Sequence, residues 1–517
     1  MALASTWSAT VEGVAAHMVT VEANVGPGLP GMYMVGLGDA AVKESRERIR
    51  TAVANAALPW PRTKIMVSLS PAHLRKGGSH FDLPIALSVL GSMDPRAQAR
   101  LERTMIMGEL ALDGSLRRVE GVLPMLLKLQ QLGGDTAGDA TSDCAIDTVI
   151  VPRANAQEAA LLNHGHILVG DSLTQVWRWL LGEVELESAS VAPASLPVAA
   201  GPDFADVAGQ LFEREAMEVA AAGGHHMLMV GPPGSGKSML AERLPTILPP
   251  LDVNEQITTT ALHSAAGISR GEIVVQRPFI APHPSLTKVE LVGGGSGTPQ
   301  PGAVSQAHNG VLFLDEASEI NAGVLDALRI PIETGRVVIR RHHREHVFPA
   351  DFQLILAANP CPCGKESAEC RCHPTARSNH LANISGPLRD RLDIYLLTSS
   401  QSAIVSPEGA ESSAEIAQRV AQARERAAWR WQKAGLEVAV NARVPSTIIR
   451  REFTADEESM VTLQRMLHRR ELTQRGVDRT LKLAWTVADL AGEGIPHIDH
   501  VDRAIALRGG LAQVVSV

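Results

Sequence analysis

The chain has 517 residues, too many for one hydrophobic core, so roughly two to four domains are expected. A net charge of −8 excludes a general basic coat for nucleic acid, so positive charge for such a partner must be local. Aromatic residues at 3% argue against a stacking platform for single strands, and four of the five cysteines cluster, unlike a secreted disulfide framework.

The opening "MALASTWSATVEG" has no charged segment ahead of an apolar one, and no apolar run reaches membrane-spanning length. A cytoplasmic protein without a membrane partner is therefore expected. Residues 1–185 read as one α+β domain. Strands are expected at 17–25, 64–70 and 147–152 from their β-branched content. Helices are expected at 39–58, "DLPIALSVLGSM" and "VLPMLLKLQQLG" from apolar residues at every third or fourth position.

Residues 186–202 contain the Ala/Pro/Ser-rich "SASVAPASLPVAAGP" and read as a linker. From 203 to 400 short apolar runs ending in polar residues ("HMLMV", "GVLFLD", "FQLILAA") alternate with helices, as buried parallel strands do. A second break, "SSQSAIVSPEGAESS", opens residues 401–517, a linker followed by a helical domain.

The strongest signal is "GPPGSGKS": Gly231, Pro232, Pro233, Gly234, Ser235, Gly236, Lys237 and Ser238. It follows an expected strand and opens an expected helix, the context that a phosphate-binding loop requires. Glycines let the backbone wrap phosphates with its N–H groups turned inward, and the helix N-terminus adds partial positive charge. Lys237 would neutralise the β- and γ-phosphates of ATP, and Ser238 would hold Mg²⁺.

The run "GVLFLDE" places Asp315 at a strand's carboxyl end, where ligands bind in open α/β sheets, as a second Mg²⁺ holder. Glu316 would orient the attacking water or take its proton. The strand "LILAAN" ends in Asn359, a neutral amide suited to the γ-phosphate or the water. The alternative readings are an ordinary strand-end acidic pair and a turn asparagine.

Two further segments stand out. "GRVVIRRHHREHVF" reads as a β-hairpin with Arg341, His342, His343 and Arg344 at its tip, a local basic patch suited to DNA or else a solvated turn. Residues 281–305, which include Lys288 as another candidate nucleic-acid contact, form a long Gly/Pro-rich insertion. "NPCPCGKESAECRC" then carries Cys361, Cys363, Cys370 and Cys372 as C-x-C-x6-C-x-C. Four thiolates could close a tetrahedral Zn²⁺ site, with His373 or His380 as substitutes. A metal-free loop and a redox switch stay open. Cys144 is isolated.

Together these residues resemble AAA+ ATPases with a hairpin before the asparagine strand. The whole chain resembles the YifB/ComM family of magnesium-chelatase-like proteins. "GLPGMYMVGLGDAAVKESRERIRTAV", "FDLPIAL", "FADVAGQ", "AHNGVLFLDE", "NPCPCG" and "ISGPLRDRLDI" carry the likeness.

The resemblance implies an AAA+ P-loop core with a helical lid behind a domain similar to Lon protease and ribosomal protein S5. It implies a ring, hexameric in ComM, that hydrolyses ATP to drive branch migration of DNA in recombination and natural transformation. It makes Arg391 the arginine finger offered to a neighbouring subunit and Arg475 the nucleotide-sensing arginine of the lid. In the Lon-like domain, Leu123 stands at the catalytic lysine position and His80 or Phe81 at the serine position, beside Ser79. No peptidase activity is therefore expected.

The alternatives are a magnesium-chelatase-type metal-insertion subunit and a nucleotide-gated scaffold for protein partners. The family's usual sequence differs at "IAPHPSLTKVELVGGG", "DEASEI" and "SNHLANISGPL", segments that bear on partners rather than on ATP.

Overall fold

A computed structural model of the chain describes residues 2–12, 15–38, 40–134, 146–162, 166–190, 201–268, 272–295, 299–341, 344–365, 370–399 and 410–515. Cys144, the hairpin-tip His342 and His343, most of the first linker and residues 400–409 lie outside them.

The N-terminal unit is built on an eight-stranded mixed sheet. The expected strands appear as Ala15–Gly26, Lys64–Ser70 and Thr148–Pro152, and the expected helices as Ala40–Asn55, Asp82–Gly91 and Val122–Gly134. Lys64–Ser70 alternates buried and more exposed positions, as a strand with one face on a core must. Leu83, Ile85, Leu87 and Leu90 of Asp82–Gly91 are fully buried beneath the sheet. At roughly 1.5–3 kcal/mol for each large apolar side chain buried, this helix is a main source of the unit's stability.

The opening segment forms a strand that the sequence reading missed. Ala2–Glu12 pairs antiparallel with Ala15–Gly26 along its whole length and parallel with Thr104–Ile106. The first linker is shorter at its start than expected. Leu186 lies in the core, and Glu187–Ser188 pairs with His166–Gly170.

The second sheet has five strands, all parallel, in the order Phe279–Ile280, Val311–Leu314, Gln353–Ala358, Met227–Val230, Ile394–Leu397. Val311–Leu314, Gln353–Ala358 and Met227–Val230 are buried at every residue, because layers cover both faces. One layer includes the lid. Met229 and Leu244 of the core share one hydrophobic cluster with Ile416, Trp431, Leu481 and Leu507.

The 281–305 insertion is built rather than structureless. It contains the short helices Lys288–Val292 and Ala303–Gln306 and the strand pair Gly293–Gly294 with Gln300–Pro301. Thr287 and Glu290 close a reciprocal capping box on the first helix.

The N-terminal unit docks on the core helix Val253–Ala265. Ile257 and Ala261 of that helix join the apolar cluster of Val119, Val122 and Leu126, and Gly121 N donates to Ser264 Oγ at 2.9 Å. Among the described residues, no helix is long and apolar enough to cross a membrane.

Candidate active site

The strand Met227–Val230 ends at Gly231, and the helix Lys237–Ile247 begins six residues later. The loop between them is clamped from two sides. Gly231 N donates to Ala358 O at 3.1 Å, and Thr398 N donates to Val230 O at 2.9 Å. A side chain at Gly231 would run into the Thr398 hydroxyl, so the close approach demands glycine. Gly234 and Gly236 take positive φ of 79° and 84°, which turns the chain into the helix.

Two residues without an assigned role in the sequence reading hold this loop. Ser235 Oγ and Thr398 Oγ1 share a hydrogen bond of 2.6 Å, and Gln210 Nε2 donates to Ser235 O at 3.0 Å. Gln210 closes "FADVAGQ", a motif that carries the family likeness, so a signal for it existed. Thr398 gave none.

Lys237 Nζ donates to the carbonyls of Gly231 and Pro232 at 2.7 and 2.8 Å and lies 3.5 Å from Asn359 Oδ1. Burial lowers its pKa, and the nearby Asp315 charge works the other way. Ser238 Oγ donates to Asp315 Oδ2 at 2.8 Å, so the two oxygens expected to share Mg²⁺ already converge. Glu316 is exposed and sits at φ 48°, a left-handed conformation costly for a side chain-bearing residue. Its N–H donates to Asp315 Oδ1 at 2.8 Å, while the next N–H, of Ala317, donates to Ala357 O at 2.8 Å. The strand ends therefore bring Lys237, Ser238, Asp315 and Asn359 together, with Glu316 at their rim. Such a loop can cradle a polyphosphate, and the oxygen pair suits a hard divalent cation.

Comparison with known proteins gives the family. "Magnesium chelatase, subunit ChlI" matches residues 203–404, "Subunit ChlI of Mg-chelatase" matches 21–137, and the ChlI C-terminal family matches 410–508. The chain is 43% identical to Rv2897c of Mycobacterium tuberculosis over 98% of this chain and 99% of the relative. It is 37% identical to YifB of Escherichia coli, over 96% and 95%. It is 36% identical to the competence protein ComM of Haemophilus influenzae, over 98% of both. The chain belongs to the YifB/ComM family of magnesium-chelatase-like proteins. Its second sheet and lid form an AAA+-type ATPase core.

The described contacts of the two expected arginines are to residues outside the P-loop. Arg391 donates to Pro387 O at 2.7 Å and pairs with Glu333 at 2.6 Å, with 13% of its side chain exposed. Arg475 opens the lid helix Gln474–Ala491 and faces Asp390 at 3.7 Å. Two residues after Arg391, a buried network centres on Asp393. Asp393 Oδ2 accepts from His225 Nδ1 at 3.0 Å, its other oxygen meets Arg479, and Arg508 donates to its backbone carbonyl at 2.8 Å. Burial would push the Asp393 carboxyl up, but the Arg479 charge and the His225 bond hold it well below the usual range.

The expected hairpin forms from Arg336–Arg341 and Arg344–Pro349, with Arg341 opposite Arg344. The Arg341 backbone is thus placed at the tip, and the Arg344 side chain lies outside the described features. Val338 and Val347 are opposite each other and both exposed. Lys288 is exposed at the start of its helix.

The four loop cysteines come together, with all Sγ atoms within 4.8 Å of one another. His373 Nδ1 instead accepts from Thr375 N at 3.3 Å, capping the helix Pro374–Ala382, and His380 Nδ1 faces Glu319 at 3.5 Å. In the N-terminal unit, Ser79 Oγ donates to Glu109, His80 Nε2 donates to Ala9 O at 2.8 Å, and Phe81 and Leu123 are core residues.

Proposed function

We propose that this protein is a ring-forming ATPase that uses hydrolysis to move branched DNA, a branch-migration motor of recombination acting in the cytoplasm. The carrying observation is the convergence of Lys237, Ser238, Asp315 and Asn359, in a chain of net charge −8 that also carries an arginine-rich hairpin. ATP phosphates would lie on the N–H groups of Gly231–Ser238, where Lys237 neutralises their charge. Ser238 and Asp315 would hold Mg²⁺, which when bound spreads the charge of the transferring phosphoryl group. Glu316, at the rim, would orient the attacking water and accept its proton, while Asn359 faces the γ-phosphate.

Arg391 would act across a subunit boundary, with Glu333 holding it until a neighbour docks. Hydrolysis then depends on assembly into a ring, a hexamer in this reading. Arg475 reports the nucleotide state to the lid. Arg341, Arg344 and Lys288 would supply the local positive charge that phosphates require. The cofactors of this reading are ATP, Mg²⁺ and, at Cys361, Cys363, Cys370 and Cys372, Zn²⁺.

The ComM relative is named a competence protein, and its match spans nearly the whole chain. The magnesium-chelatase 67 kDa subunit of Chlorobaculum parvum matches at 27% over only 30% of this chain, while magnesium-chelatase family models match 21–137, 203–404 and 410–508, so metal insertion is the competing reading. The test is the ATPase rate with and without four-way-junction DNA, using Glu316→Gln as the control. Stimulation lost in the variant supports the motor. A normal basal rate indifferent to every DNA tried would contradict it.

A further inference from the structure

The cysteine loop leaves the active site within two residues of Asn359. Cys361 is buried, at 2% exposure. Cys361 and Cys363 Sγ are 3.2 Å apart, Cys370 and Cys361 3.4 Å, and Cys363 and Cys370 3.7 Å. Four sulfurs about 2.3 Å from one tetrahedral zinc ion stand about 3.8 Å from each other. The observed cluster is close to that size. A single disulfide would use two of the four and leave the convergence of the others without a cause.

The turn inside the loop touches the phosphate-binding loop. Gly364 N donates to Cys361 O at 3.0 Å, and Gly364 takes φ of +73°. A Cβ on Gly364 would meet Pro233 Cγ at 2.9 Å and Cδ at 3.0 Å. The turn therefore lies directly on Pro233, with no room for a side chain between them.

The other half of the cluster leads by way of a helix to the segment after Asp315. Cys372 leads into the helix Pro374–Ala382, and just beyond that helix Asn383 Nδ2 donates to Ser318 O at 2.7 Å, three residues after Asp315. A metal joining Cys361 and Cys363 to Cys370 and Cys372 would tie together both sides of the ATP site. Residues 361–365 bring little apolar surface of their own, so their order needs another source.

We propose that the four cysteines hold a structural zinc ion that braces Pro233 and Asn359, so that nucleotide affinity follows metal content. The inference rests on the reading of Gly231–Ser238 as the ATP site. It adds that an ion outside the chemistry sets the shape of that site. Zinc enters as the divalent ion, and the thiols give up their protons to solvent, with no change of oxidation state.

The test uses the full chain, purified without chelator. Zinc is counted by plasma mass spectrometry, and the dissociation constant of a fluorescent ADP analogue is measured by anisotropy. About one zinc per chain is expected. Cys370→Ser should lose the metal and raise the dissociation constant for the nucleotide analogue. Gly364→Ala keeps all four thiols, so it should keep zinc and still weaken nucleotide binding through the Pro233 contact.

Wild-type protein without zinc would overturn the metal site. Zinc in the wild type, with nucleotide affinity unchanged in both variants, would overturn the brace and leave the ATP site standing. Failure of the zinc-loaded wild type to bind the analogue would overturn the ATP-site reading itself.

Discussion

Replacing Asp393 by alanine should free the lid from the ATPase core while leaving the N-terminal unit folded. The carboxylate is 1% exposed and sits between His225 and Arg479, with Arg508 on its own backbone carbonyl. Its removal takes from the largely buried Arg479 and Arg508 their nearest carboxylate, leaving the more distant Asp390 as their acidic neighbour. Removing one side of a buried ion pair costs about 3–5 kcal/mol, because the other charge stays desolvated. The lost His225 bond adds about 1 kcal/mol, although His225 Nε2 keeps its 2.8 Å contact with Thr486.

Hydrogen exchange in 474–491 and 394–397 is the assay, because lid undocking exposes these segments ahead of global unfolding. Exchange there should accelerate by about three to four powers of ten. A cycle with Arg479→Leu should show the double variant less damaged than the sum of the singles. Asp393→Ala within about 1 kcal/mol of wild type, or singles that simply add, would refute the reasoning. The carboxyl is held below its usual range, so this contribution is complete above about pH 4 and fades as pH falls through the folded-state value.

His226 is buried and neutral, accepting from Leu354 N at 3.0 Å, and burial pulls its pKa down to about 3. Unfolded protein binds a proton there below about pH 6.5 and folded protein does not, so stability should fall by about 4 kcal/mol from pH 6.5 to 3. His226→Asn, which keeps the acceptor, should flatten that slope in denaturation curves; an unchanged slope would contradict the assignment. Lys237→Ala should abolish ATP-analogue binding, whereas Glu316→Gln should bind ATP and lose about a hundredfold in hydrolysis. If Glu316→Gln hydrolyses normally, another group handles the water. Arg341→Ala and Lys288→Ala should each lower the salt slope of DNA binding by about one, measured by anisotropy from low to high salt. An unchanged slope would move the DNA surface elsewhere.

The convergence of the candidate site was legible because its residues are local in sequence. Eight consecutive residues make the loop, and Asp315, Glu316 and Asn359 each end an apolar strand that periodicity finds. The parallel sheet followed from the same runs. What was not legible depends on contacts between distant segments. Thr398 supports Ser235 from 163 positions away, and a threonine after a strand carries no mark of that task. Ala2–Glu12 was missed because its buried positions Ala4, Thr6, Ser8 and Thr10 are small or polar, while Leu3, Trp7 and Val11 fall on the less buried positions, so no apolar face announces the strand.

Arg391 was recognisable by motif, but its pairing with Glu333 was not. The helix inside the insertion could have been found, since Thr287 and Glu290 show the spacing of a capping box. The closeness of the cysteine loop to Asn359 was visible in sequence. Its seat on Pro233 required the fold.

The most direct test of the central claim is a mobile four-way junction with one labelled strand, incubated with the protein, ATP and Mg²⁺. A branch-migration motor should convert it to forked products in a reaction that requires ATP and is lost in Glu316→Gln. Junctions left intact under active ATP turnover would contradict that claim.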